Sequence, residues 1–202
     1  KTLAVRFPAH PKAKSLLKIL NYPLAAPSAN ISSRVSPVTK NHVKEEFGKK
    51  IKYIIEGGLS KIGLESTIIN LTGKPEILRI GSIDINKLSK ALKKKLLYRK
   101  KTYMKVPGQN RLHYSPGIPL RMNCKEASKD EAFILVKKRN NSNKNFFYLS
   151  KNKNLKEAAR NLYSVLRIIK KKGYKKIAVE KIENKGIGLA INDRLQKASS
   201  KK

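Results

Sequence analysis

Apolar and polar positions along the chain alternate between two periods, and the elements follow from them. Residues 2–8 (TLAVRFP) have strand composition and end at a proline. In 10–21, Leu16, Leu17, Ile19 and Leu20 recur at helical spacing, with Pro11 suited to the first turn. Residues 22–39 are rich in Pro, Ser and Asn and read as a short strand followed by a loop. A helix is expected next, with Thr39 as its N-cap and Gly48 as its stop. Residues 51–58 read as a strand ending in a glycine turn, and 65–81 as a hairpin around Thr-Gly-Lys-Pro. Residues 84–95 read as a helix with Asp84 near its cap.

Periodicity lapses over 96–120, which hold Pro107, Pro116 and Pro119 and form the best linker. Beyond it, 132–138 and 145–150 are strand-like. Residues 154–173 form a strong amphipathic helix capped by Asn154 and stopped by Gly173. Residues 175–182 are an apolar strand, and 186–199 a helix opened by glycines. This order predicts a small α/β layer domain with some parallel pairing.

Composition narrows the function classes. The chain has 202 residues, 40% of them hydrophobic, enough for a core. No apolar run approaches a bilayer span, and no signal-peptide pattern is present. Cys124 is the only cysteine, so an internal disulfide is excluded and a reduced, cytoplasmic setting fits. The formal charge is +34. One reading is attraction to a phosphate-rich partner such as tRNA. The other is lysine accumulating on every solvated face. Only ten of the 47 basic residues are Arg, and the lysines are spread along the chain, which favours composition.

Several stretches hold residues suited to ligand contact. Ser28 and Asn30 follow an apolar segment at alternate positions, although Ser and Asn also bond their own backbone in turns. Arg34 and Ser36 sit in the same loop. Ser66 and Thr67 follow three glycines, and glycine permits close backbone approach. Arg79 lies among apolar residues, where a charge needs an ion-pair partner or an anionic ligand. Three scattered histidines (His10, His42, His113) do not make a metal set, and His113 reads as a hydrogen-bonded structural group, with a ligand-facing acid or base as the alternative.

In this order, TLAVRFPAHP, PLAAPSANISSRVSP, GGLSKIGLESTII, EILRIGSI and PGQNRLHYSPGIP together resemble the YrdC-like threonylcarbamoyl-adenylate synthases, in the longer version with an extra C-terminal domain. The closing GIGLAINDRLQKAS is similar to the last helix of that domain, so the resemblance covers nearly the whole chain. It implies an α/β fold: the C-terminal portion of a twisted open-sheet catalytic domain (1–95), a linker carrying a lid (96–122), and a small Rossmann-like α/β domain (123–202). It implies a nucleotidyltransferase that makes threonylcarbamoyl-adenylate and pyrophosphate from L-threonine, bicarbonate and ATP. Mg²⁺ would accompany ATP, and the product would feed tRNA modification beside the anticodon. The alternative is an RNA-binding module of the same fold.

Carried over by matching position, Thr2, Ser28, Asn30, Ser36, Arg79 and Tyr114 fall on the ATP side. Arg6, Ala26 and Ser66 fall on the threonine side. No protein nucleophile is required. Tyr114 is expected to close over the nucleotide, and its replacement by Ala to weaken ATP use while sparing the fold. The chain departs from the family at Ser33, where glycine is common, at Val38, where threonine usually follows the proline, at Asn70 and at Ile80. The family's early Lys-x-Arg cluster has no match, so the resemblance implies that roughly the first half of the catalytic domain precedes Lys1 and that this piece alone is inactive or badly impaired. The last domain lacks a G-x-G-x-x-G after a first strand, so no dinucleotide is expected there.

Overall fold

A computed structural model describes residues 2–98, 106–108, 113–141 and 143–200. Much of the expected linker, 99–105 and 109–112, lies outside the described residues.

Local signals in the first half place its helices well. Pro11 opens α1 (Pro11–Ile19). The Thr39 hydroxyl accepts the His42 N–H at the start of α2 (Lys40–Phe47), and Gly48 ends that helix at φ 52°. The hairpin forms from β1 (Ile68–Asn70) and β2 (Glu76–Arg79), paired antiparallel with a bulge between Ile68 and Ile69. The Asp84 carboxylate caps α3 (Ile85–Leu92) by accepting the Asn86 and Lys87 N–H groups. A short β3 (Leu97–Tyr98) pairs parallel with β2 and completes a three-stranded sheet.

Three expected strands do not form among the described residues. Residues 2–8, the start of 22–39, and 51–58 have the composition but form no ladder. Leu3, Val5 and Phe7 are 87%, 86% and 91% exposed, and Tyr53 and Ile55 are also exposed. A strand is stabilised by its hydrogen-bonded and packed neighbours, and the described residues supply none here.

The second half builds a four-stranded, wholly parallel sheet in the order β4-β7-β5-β6. Its strands are β4 (Leu120–Arg121), β5 (Glu131–Lys137), β6 (Phe146–Ser150) and β7 (Lys176–Val179). β4 lies in the stretch read as linker: two residues are too few for a period to show. Arg121 anchors it by a two-pronged ion pair to Glu131 on β5, with Nε and Nη2 donating at 2.9 and 2.7 Å. That pairing holds the Glu131 carboxyl down at about 2. β5 is buried along six consecutive residues because both faces are covered, as parallel sheets require. One face meets α4 (Leu155–Lys171) and α5 (Ile187–Ser199) through Ile134, Leu162, Leu166, Ile191 and Leu195. The other packs Phe133, Leu135, Ala178 and the buried Cys124.

The two halves share cores. Val35, Val38 and Tyr114 pack into the cluster centred on α4. Ala190 of α5 packs with Ile77, Ile80 and Leu96 of the first half. Gly63 lets its loop lie on α4: an added Cβ would come 2.5 Å from the Arg160 Cα. No helix among the described residues is long and apolar enough to cross a membrane.

Candidate functional site

The hairpin register sets the first group of the site. Arg79 closes β2 opposite Ile68, and its side chain turns into the protein, leaving the residue 7% exposed. Nε donates to the Ser66 carbonyl at 3.0 Å and Nη2 to the Ser66 hydroxyl at 3.2 Å. Nη1 donates to the Pro107 carbonyl at 3.0 Å. These partners are neutral oxygens, and no carboxylate among the described residues bonds Arg79. Burial lowers its pKa, but an arginine stays protonated. A buried, oriented guanidinium with no hydrogen-bonded carboxylate suits an anionic ligand, although the Glu65 charge also acts on it.

The second group is Tyr114, which is 1% exposed. Its backbone sits at φ 59°, a left-handed conformation that an aromatic residue adopts only when its surroundings over-determine it. The hydroxyl faces Gly108 and the Arg79 side chain. A Cβ on Gly108, itself at φ 87°, would fall 2.1 Å from the Tyr114 Oη and 3.5 Å from the Arg79 Cδ. Gly108 therefore passes the tyrosine so closely that a side chain there would meet its hydroxyl. Burial pushes the Tyr114 hydroxyl up to about 12, with Arg194 pulling the other way.

Glu65 lies behind both. Its carboxylate accepts the Ser36 hydroxyl at 2.6 Å, the Tyr163 hydroxyl at 3.0 Å and the Arg194 Nε at 2.9 Å. Burial works to raise the Glu65 carboxyl, but Arg194 and the Ser36 hydrogen bond outweigh it, and the carboxyl titrates below its usual range. Arg194 also bonds Asp193 through Nη1 at 2.6 Å, and Lys197 bonds the same carboxylate.

His113 Nδ1 accepts the Tyr114 N–H at 3.1 Å, the hydrogen-bonded role its sequence context predicts. Burial lowers its pKa, with Glu65 acting against it and Lys197, Arg194 and Arg79 in the same direction. No group of three His, Cys, Asp or Glu residues among the described ones could hold a metal ion.

Of the residues singled out in the sequence, Ser66, Arg79 and Tyr114 converge, and Ser36 joins them through Glu65. Asn30 is used locally, with its amide donating to the Ile31 and Arg34 carbonyls. Thr2, Arg6, Ala26 and Ser28 are exposed, and their side chains make no hydrogen bond or ion pair with the described residues.

Sequence reasoning missed Glu65, Tyr163, Asp193 and Arg194. A signal existed for two of them. Arg194 falls at helical spacing between the buried Ala190, Ile191 and Ala198 of α5, and Tyr163 lies among the buried Ala159, Leu162 and Leu166 of α4.

The family described as "Threonylcarbamoyl-AMP synthase, C-terminal domain" matches residues 80–200, and the one described as "Telomere recombination", the Sua5/YciO/YrdC family, matches residues 1–81. A threonylcarbamoyl-AMP synthase of Pyrococcus abyssi is 36% identical over 98% of this chain and 64% of its own length. One from Schizosaccharomyces pombe is 34% identical over 99% of this chain and 58% of its own length. The crystal structure of P. abyssi Sua5 complexed with L-threonine superposes with a TM-score of 0.82 at 33% identity, covering 96% of this chain and 63% of that one. The chain thus spans less than two thirds of these relatives. With one family matching its first 81 residues and the other the rest, the chain belongs to the Sua5/YrdC-like threonylcarbamoyl-AMP synthase family.

Proposed function

We propose that this chain carries the threonine- and nucleotide-facing part of an L-threonylcarbamoyladenylate synthase, a nucleotidyltransferase. The observation behind this reading is the convergence of Ser66, Arg79 and Tyr114 in a chain whose relatives bear that name. In the first step the threonine amine attacks bicarbonate; water leaves and a carbamate forms. A carbamate oxygen then attacks the α-phosphorus of ATP, and pyrophosphate departs with the electrons of the broken P–O bond. Two anions must meet, so positioning and charge compensation dominate the catalysis.

Arg79 offers a fixed positive charge on the nucleotide side. Ser66, exposed at the start of the hairpin and already fixed by Arg79, faces threonine. Tyr114, whose hydroxyl lies beside the Arg79 side chain, closes over the nucleotide and limits access of water. Thr2, Ser28, Asn30 and Ser36 are assigned to ATP, and Arg6 and Ala26 to threonine. Glu65 is already occupied by three donors and Asp193 by Arg194 and Lys197, which leaves no free carboxylate in this cluster among the described residues. Mg²⁺ would therefore be held by the ATP phosphates, offsetting their charge. The product would supply threonylcarbamoyl groups to a tRNA-modifying system in the cytoplasm.

The test is pyrophosphate release by the full-length protein with each substrate omitted in turn. Release that requires both threonine and bicarbonate is expected. Release indifferent to threonine would refute the reading.

A further inference from the structure

The cluster behind Arg79 closes on itself. Arg79 holds Ser66; Glu65, the preceding residue, holds Arg194; Arg194 lies over Tyr114; and Tyr114 returns to Arg79. Four distant chain segments meet in this ring of contacts. One of them, Arg194, comes from the last helix.

Arg194 has a side chain that is 0% exposed. Its guanidinium carbon sits 5.0 Å from the centroid of the Tyr114 ring. On Tyr114's aromatic side, Tyr163 stacks at 5.9 Å and 22°. The Tyr163 hydroxyl is tied to Glu65, the same carboxylate that fixes Arg194. Tyr114 therefore contacts one cation and one ring whose positions are set by one acid. Helix α5 grips the strap a second time, since the His113 N–H donates to the Lys197 carbonyl at 3.4 Å. The opposite side is held by the Ser115 N–H, which donates to the Ser33 carbonyl at 2.9 Å.

Stability alone does not call for an arginine here. A buried ion pair is roughly neutral against a well-packed apolar pair of the same volume. What an arginine adds over an apolar residue is direction: a planar cation that attracts a ring face and holds a carboxylate at the same time. The unfavourable φ of Tyr114 requires such external restraint.

We propose that Arg194 is a positioning residue: it holds the strap around Tyr114 closed against Arg79, so that the docking of the C-terminal helix sets the geometry of the nucleotide side. The kinetic consequence rests on the synthase reading above; the structural one does not.

The experiment uses E65Q/R194M, which removes both charges of the Glu65–Arg194 pair together, while Asp193 loses Arg194 but keeps its pair with Lys197. Hydrogen exchange is followed in this chain at the amides of His113, Tyr114, Ser115, Gly117 and Ile118 and, as internal reference, across α4. Strap exchange about tenfold faster, with α4 within about twofold of the parent, is expected. Unchanged strap exchange would overturn the proposal. So would equal acceleration in α4, which would mean that the pair merely holds the fold. In the full-length enzyme, Arg194→Lys should raise the KM for ATP about fivefold with kcat nearly unchanged. A fall in kcat at constant KM would overturn the positioning role. Absence of threonine-dependent turnover in the parent enzyme would refute the synthase reading and leave the exchange result to judge the strap.

Discussion

The Arg194 guanidinium lies over the face of the Tyr114 ring, 5.0 Å from its centroid, joining the C-terminal helix to the strap between the two halves. Tyr114 thus belongs to the core as well as to the site. Cation and ring hold each other in a place from which water is excluded, where such a contact is worth about 2 kcal/mol.

This burial corrects the expectation that Tyr114→Ala would spare the fold. Removing a fully buried ring costs about 3–5 kcal/mol, so the Ala variant should lower the urea midpoint strongly. Tyr114→Phe keeps the ring, the stack on Tyr163 and the cation contact. It should cost about 1 kcal/mol or less and is the variant with which to test nucleotide affinity. Equal midpoints for the two variants would contradict the core assignment.

Arg194→Met alone should destabilise by about 3–5 kcal/mol, because Glu65 would be left as a buried charge without its cation. Adding Glu65→Gln should restore most of that loss. Chemical denaturation of the two single variants and the double variant measures the coupling. Simple addition of the two losses would show that the residues act independently.

Ser33 stands where the family commonly has glycine, and its backbone adopts φ 67°. Its carbonyl receives the Ser115 N–H, so the strained residue anchors the strap. Ser33→Gly relieves the steric cost of that conformation but adds freedom to the unfolded chain. A net gain of about 0.5–1 kcal/mol is expected. A measured loss would mean that the Ser33 side chain contributes more than its backbone strain costs.

Stability should fall as the solution is acidified, in two steps. His113 and His42 each accept a backbone N–H through Nδ1, from Tyr114 and Val38, and each titrates below 6.5, chiefly because of burial. Around His113, Lys197, Arg194 and Arg79 act in the same direction and Glu65 against it. Between 6.5 and the folded values the unfolded chain binds more protons. The contribution is therefore complete above 6.5 and lost as pH falls through the folded values. Glu65 and Glu131 behave alike below 4.5, with Glu131 holding out to about 2. Urea midpoints between about pH 4 and 8 should decline on this pattern, and His42→Asn/His113→Asn should flatten the upper step. A rise on acidification would contradict the burial of both imidazoles.

Much of the molecule was legible along the chain. Helices α2, α3 and α4 carry their own side-chain caps, so Thr39, Asp84 and Asn154 mark starts that the structure keeps, while Pro11 marks the start of α1. The hairpin and the three longer parallel strands follow from apolar runs bounded by turns. The order of short motifs was enough to place the chain in its family. Residues 2–8 and 51–58 show the limit of that information. Their composition is right for strands, but a strand is made by its neighbours, and composition cannot show whether neighbours are present. The same holds within the site. Ser66, Arg79 and Tyr114 could be picked out as chemical types, but a sequence does not say which buried cation meets which acid across 129 residues, as Arg194 meets Glu65. Tertiary packing decided that pairing. Buried charges must find partners wherever the fold brings them, and here the last helix brings the partner to the site.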